Sequence, residues 1–329
     1  MKRTYALIGL CGLVFLTAAA LRVRSHMVQV GDIGVGPRTE PLPSLSRAPR
    51  DYALHPGVAP GEENRGPRRI ISLAPSITET VCALGMRDRL VGRTQYCTHP
   101  PGIQDIPAVG AIMDTNLELI KSLKPDLVLT TSNSGDAPGR LQALGIQQVS
   151  LPHNSLEDIY AAIAMIGTLC DRPRTALGLI SAIQRDLVAL KAVASASGKP
   201  SRQVLVVLGD LPVPPTQVFV AGPGSFLESL LHRAGQANAV AGVMRSSHGE
   251  LPLEKLLTID PEVILCFSNG RAAGDAPTDE VYASWSRVGP LRAISNRRVR
   301  VIGGLEWLSA GPRIAIELHH VIVAMESVP

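Results

Sequence analysis

From residue 68 onward, short apolar runs alternate with amphipathic stretches. Residues 69–74, Arg-Ile-Ile-Ser-Leu-Ala ahead of Pro75, have the continuous apolar character of a strand buried on both faces of a parallel sheet. Ser76-Ile77-Thr78-Glu79 matches the S/T-x-x-E capping box, which predicts a helix running to Gly85. Further strands are predicted at 90–94, 126–131 and 147–151, with helices at 117–123 and 138–144 between them. A helix at 155–170 follows. A second, capped by Asp171 with Pro173 near its start, runs to about residue 195, or ~35 Å at 1.5 Å per residue. Beyond Pro200 the alternation restarts, with strands at 203–208, 217–221, 262–268 and 299–302 and a helix at 225–234. Strands alternating with helices predict an α/β fold: two Rossmann-like lobes with mainly parallel sheets, joined by one long backbone helix, with a ligand cleft between the lobes at the carboxyl ends of the strands.

A diverged internal repeat supports two equivalent lobes. Leu117-Glu118-Leu-Ile-Lys-Ser-Leu-Lys-Pro125-Asp-Leu-Val-Leu reappears as Leu253-Glu254-Lys-Leu-Leu-Thr-Ile-Asp-Pro261-Glu-Val-Ile-Leu. The glutamates and the prolines are each 136 positions apart (254 − 118 and 261 − 125). The expected organisation is a leader at 1–25, a tether at 26–67, an N-terminal lobe at 68–152, a helical linker at 153–200 and a C-terminal lobe at 201–329.

The leader and tether differ in composition from the rest of the chain. Lys2 and Arg3 precede an apolar run from Tyr5 to Ala20, which reads as a secretory signal cleaved after Ala20 or as a retained membrane anchor. Residues 26–67 hold seven Pro and six Gly with no apolar period, the composition of a disordered tether. An exported, periplasmic or membrane-tethered protein is expected.

Apolar residues make up 45% of the chain and aromatics only 3%, so aliphatic side chains must build the core. The net charge of +4 is small and the basic residues are scattered, which disfavours a nucleic-acid partner. No Cys-x-x-Cys, Gly-x-Ser-x-Gly, P-loop or His-Glu-x-x-His occurs, so neither an enzyme nor a metal cofactor is expected. Cys82, Cys170 and Cys266 lie in apolar runs and read as buried, unbridged thiols; with Cys97 they leave three pairings open. Glu317-x-x-His320 with His319 reads as a solvated helix face.

Candidate ligand contacts follow predicted strands. Ser76 stands at a helix start, where free N–H groups hold polar or anionic groups. Tyr96 and His99 lie in the turn closed by Pro100-Pro101, and Glu306-Trp307 follow the last strand and Gly303-Gly304, Trp307 offering a stacking face. Glu118 and Glu254 begin equivalent helices. The helix dipole alone accounts for such carboxylates, but their repetition points to a pair of anionic knobs that set register on a basic partner.

Arg69-Ile-Ile-Ser-Leu-Ala-Pro-Ser-x-Thr-Glu79, the turn from Tyr96 to Pro101, Asn116-Leu-Glu-x-Ile120, Leu123-Lys-Pro-Asp-Leu-Val128 and Gly311-Pro312-Arg313 together resemble the iron-siderophore/vitamin B12 class of periplasmic solute-binding proteins, especially its cobalamin-binding branch. The resemblance implies that the chain delivers a solute to the permease dimer of an ABC transporter as a monomer, with Glu118 and Glu254 as its docking residues. It implies a corrinoid as the solute, with haem or a ferric siderophore as the alternative. Ile112, Thr131 and His248 stand where the cobalamin-binding branch has tryptophans, and His248 with His99 fits a metal chelate such as haem. A membrane-tethered ligand-sensing domain would use the same cleft.

Overall fold

The computed structural model describes residues 58–62, 66–111, 114–209, 216–268, 279–303 and 309–329, all within one unit, Leu42–Pro329. The leader at 1–25, most of the tether, and Ile112, Glu306 and Trp307 lie outside the described residues.

The first sheet contains β1 (Ile70–Ser72), β2 (Leu90–Arg93), β3 (Leu127–Thr131) and β4 (Gln148–Leu151), in the order β2-β1-β3-β4 with every pair parallel. Burial follows position: β1 and β3 are buried throughout, whereas edge strand β4 buries fully only its last residue. Helices α1 (Pro75–Ala83), α2 (Leu117–Ser122) and α3 (Ala137–Ala143) connect these strands, and α4 (Leu156–Leu169) and the long α5 (Pro173–Ala196) lead away from them.

The second sheet contains β5 (Gln203–Leu208), β6 (Gln217–Ala221), β8 (His248–Pro252), β9 (Val263–Ser268) and β10 (Val299–Gly303), ordered β10-β9-β5-β6-β8, with the two-residue β7 (Ala237–Asn238) beside β5. Strands β10, β9 and β5 are parallel, and β6 and β8 extend the sheet antiparallel. Its helices are α6 (Phe226–Arg233), α7 (Leu253–Ile259), α8 (Asp279–Ser286), α9 (Arg292–Ser295) and α10 (Ile314–Glu326).

The two sheets share one interior. A single apolar cluster runs from Ile70 and Leu127 through Ile163 and Ile183 of α4 and α5 to Val204, Leu265 and Leu318. Smaller clusters cover the outer faces, around Leu141 on the first sheet and Trp285 on the second. Cys82, Cys97, Cys170 and Cys266 are all buried, and no disulfide joins any two of them.

The repeat extends to hydrogen bonds. Helices α2 and α7 each end in a left-handed residue directly before the repeated proline, Lys124 (φ 46°) and Asp260 (φ 45°), the conformation that stops a helix cleanly. One residue beyond the proline a carboxylate holds the start of the neighbouring strand. Asp126 accepts from the amides of Arg68 and Arg69 at 2.9 and 3.0 Å, and Glu262 from the amide of Gln203 at 2.9 Å. An arginine then clasps the turn carbonyl, Arg69 on Leu123 and Arg292 on Asp260, both at 2.6 Å.

Three local expectations are corrected. The Ser76–Glu79 capping box does not form: Pro75 occupies the first helical turn, Ala74 is the N-cap without a side-chain bond, and Ser76 and Glu79 are buried inside α1. A proline already suited to the start of a helix displaces the capping residue by two positions. Asp171 does not cap α5 either. Arg172 is the N-cap without a side-chain bond, and the Glu62 carboxylate accepts from the amides of Arg174 and Thr175 at 2.6 and 3.2 Å and from the Thr175 hydroxyl. Residues 58–62 of the stretch read as tether are therefore docked on α5, with the Ala59 amide also donating to Thr175 Oγ1 at 2.8 Å. Finally, the Glu317–His320 face of α10 is not solvated: Glu317 and His319 are buried and His320 half-buried.

Candidate functional site

In the first sheet the order reverses between β1 and β3, the place where open α/β sheets bind ligands beyond their strand ends. A recess lies there, lined by Ser76 and Thr80 of α1, Thr131 at the end of β3, Pro152 and His153 after β4, and Ala310 from the segment ahead of α10. Ser76, Thr80 and Thr131 are buried apart from this opening. The two threonine hydroxyls are held from behind. Thr80 Oγ1 donates to the Ser76 carbonyl at 2.7 Å, and Thr131 Oγ1 lies 3.0 Å from Ser134 Oγ.

The turn carrying Tyr96 and His99 is anchored through Cys97, which is fully buried. Its sulfur lies 3.1 Å from Thr78 Oγ1 and 3.2 Å from Thr94 Oγ1. Burial raises the Cys97 thiol pKa, with the two threonines pulling against it. Cys97 is thus an inert anchor, while Tyr96 is half-exposed beside it, as a stacking surface requires.

The second half closes the site from its own side. Gly311, just ahead of α10, packs so tightly on α1 that an added Cβ would lie 3.2 Å from Ser76 Cα. Two residues on, Arg313 grips Glu79 of α1 through two bonds of 2.8 and 3.1 Å, with both side chains buried. A bidentate guanidinium–carboxylate pair with no access to water fixes orientation as well as distance. Glu317 lies one turn further along; burial drives its carboxyl pKa well above the ordinary value, Arg313 pulling it down and Glu79 pushing it up.

Of the residues expected to meet a ligand, Ser76 lines the recess, Tyr96 and His99 lie in the turn after β2 and are not among the lining residues, and His248 begins β8 on the second sheet. Glu306 and Trp307 lie outside the described residues. His153 was missed. Its signal was nonetheless present, because it follows a predicted strand just as the Tyr96 turn does, with Pro152 between them. Burial lowers its pKa first and the charge of His248 second, while Asp158 opposes; burial likewise lowers that of His248. Both imidazoles are neutral at pH 7.

Glu118 and Glu254 are exposed in the first turns of α2 and α7. Neither binds its own helix start: Asn116 Oδ1 caps α2 from the Leu119 amide at 2.9 Å, and α7 has no side-chain cap. Both carboxylates are available to a partner.

Comparison with known proteins gives a consistent picture. The family described as periplasmic binding protein matches residues 70–304. An ABC transporter substrate-binding lipoprotein of Bacillus subtilis, itself uncharacterised, is 27% identical over 253 residues, covering 75% of this chain and 76% of that one. A cobalamin-binding protein of Halobacterium salinarum is 30% identical over 238 residues, 68% of this chain and 62% of that protein's length. Among solved structures, the periplasmic haem-binding protein BhuT in complex with two haems superposes with a TM-score of 0.65 at 25% identity, over 79% of this chain and 98% of that one.

Proposed function

Since this chain belongs to the periplasmic binding protein family, we propose that it captures a corrinoid in the recess between its two sheets and hands it to the permease dimer of an ABC importer. It is a solute-binding protein of the class that serves importers of vitamin B12, haem or siderophores. The observation that carries the finer reading is the recess at the strand-order reversal, walled by hydroxyls from one half and sealed by the segment ahead of α10 from the other. The halobacterial relative favours a corrinoid; the likeness to BhuT keeps haem as the second reading.

Delivery requires a face that the ligand does not use. Glu118 and Glu254 provide one, as two exposed carboxylates at equivalent places in the repeat, suited to paired basic pockets on a dimeric permease. Family membership supports a location of the folded part outside the cytoplasmic membrane, and the charged-then-apolar leader agrees with export.

Calorimetric titration of the full chain with cyanocobalamin, haemin and a ferric hydroxamate siderophore tests the reading. Submicromolar binding of cyanocobalamin is the expected result. Binding of haemin or siderophore alone would replace the ligand and keep the class, and binding of none would contradict capture of a metal chelate.

A further inference from the structure

The recess measures about 10 Å³, room for one small polar group and not for a ring system. The flat body of a solute therefore lies outside it, and only the tip of a peripheral arm can enter. Among the described residues, no Lys, Arg, Asp or Glu stands in its wall. The polar groups that do stand there divide into donors and acceptors.

One side donates. Pro75 has no N–H, and the amides of Ser76 and Ile77 precede the first bond of α1, from the Thr78 amide to the Ala74 carbonyl at 3.1 Å. The N-cap, Ala74, has no side chain to give them. Ser76 adds its hydroxyl: the residue is 5% exposed, and among the described residues no hydrogen bond engages its Oγ. A second hydroxyl lies close by. Ser309 Oγ is buried without a partner, and a Cβ on Gly311 would lie 3.2 Å from Ser76 Cβ and 3.4 Å from Ser309 Oγ. Two unsatisfied hydroxyls flanking one glycine at an opening point to a group that arrives from outside.

The other side accepts. Thr80 Oγ1 spends its one proton on the Ser76 carbonyl at 2.7 Å and keeps only lone pairs. Thr131 Oγ1 is engaged with Ser134 Oγ at 3.0 Å. His153 is indifferent: a neutral imidazole offers one donor and one acceptor, and burial lowers its pKa, which works against a cation in the wall.

We infer that the recess is a subsite for one propionamide arm of the solute, and that Thr80 makes it select the amide over the corresponding carboxylate. This rests on the reading of the solute as a corrinoid, whose peripheral arms end in carboxamides. The carbonyl oxygen of the arm accepts from Ser76 and the open end of α1, and its NH2 donates to Thr80 Oγ1. A carboxylate only accepts. It satisfies Ser76 equally well but sets its second oxygen against the lone pairs of Thr80. The dipole of α1 favours an anion, yet without a cation in the wall that attraction does not offset the desolvation of a full charge.

The test titrates the full chain with cyanocobalamin and with the three monocarboxylic acids made by hydrolysing its propionamide arms one at a time. It is run at about pH 8, where those acids are ionised. One acid should bind the native chain about tenfold or more weakly than cyanocobalamin, because its arm meets an acceptor in place of a partner. T80V, which removes the lone pairs at nearly constant shape, should close that gap to within about threefold. T80S keeps the hydroxyl and should restore the gap. A merely structural role for Thr80 would weaken all four solutes alike and leave their ratio unchanged. Should T80V fail to fold by circular dichroism, T80A takes its place. If cyanocobalamin binds and every acid binds as well, or if the gap ignores T80V, the arm assignment is wrong and the corrinoid reading stands. If cyanocobalamin does not bind the native chain, both are wrong.

Discussion

In the N-terminal half, α2 passes through left-handed Lys124 and Pro125 into β3; in the C-terminal half, α7 passes through left-handed Asp260 and Pro261 into β9. The turn conformation, the carboxylate beyond the proline and the clasping arginine all recur. On the recess side nothing recurs. The first half offers hydroxyls at the ends of parallel strands, and the second offers an antiparallel edge with His248 and the tightly packed segment ahead of α10. On the proposed function, two equivalent permease subunits constrain two equivalent surfaces, which would account for the matched units. A single solute with unlike faces puts no such constraint on the cleft, and there the halves have diverged.

Breaking the seam between the halves should have the largest effect. In R313A, the Glu79 carboxylate stays buried without its partner, an arrangement that costs about 3–5 kcal/mol. Urea denaturation should show that loss, and E79A a comparable one. A shift as small as that of a surface substitution would mean the pair is not buried in solution.

Two glutamates sharpen the contrast by answering to pH in opposite senses. Glu317 has a raised pKa in the folded state, so its contribution is fully present below the ordinary value of 4.5 and is lost as pH rises through the folded value. Relative to the native chain, E317Q should gain thermal stability steadily as pH is raised from 4.5. For Glu62, burial raises the pKa, but hydrogen bonds from Thr175 and Arg174 more than offset it and the folded value is lowered. Its contribution is present above 4.5 and is lost as pH falls through the folded value. E62Q should therefore melt below the native chain at pH 7, by the equivalent of about 1 kcal/mol for a lost helix cap, and the gap should close in acid. Parallel melting curves across pH would remove Glu62 from its capping role.

Much of this architecture was legible in the chain. Strands β1, β3, β5 and β9 are continuous apolar runs because both their faces are covered, and the repeat by itself exposed the matched units. Strand β8 was not legible, since His248-Gly-Glu-Leu-Pro252 shows no period-two alternation. Its antiparallel place comes from pairing with β6. The false capping box at Ser76 has a similar origin: the motif matches locally, but Pro75 competes for the helix start, and the true partner of Glu79 lies far away in sequence. Glu62 on α5 is another bond between distant residues that no periodicity announces. His153 is different, because its position after a strand and a proline was readable and only its place in the wall of the recess needed the fold.

The smallest expected effect on stability comes from the docking pair. Glu118 and Glu254 are exposed, so replacing them should change folding free energy by less than about 0.5 kcal/mol. That makes them the most direct probe of the central claim that the matched face delivers what the unmatched cleft captures. The measurement is solute affinity and association with the permease complex, side by side, for the native chain and the E118R/E254R double variant. The predicted result is affinity within about twofold and association lost, because two like charges now face basic pockets. Association unchanged, or affinity falling together with it, would contradict the division of labour between the two faces.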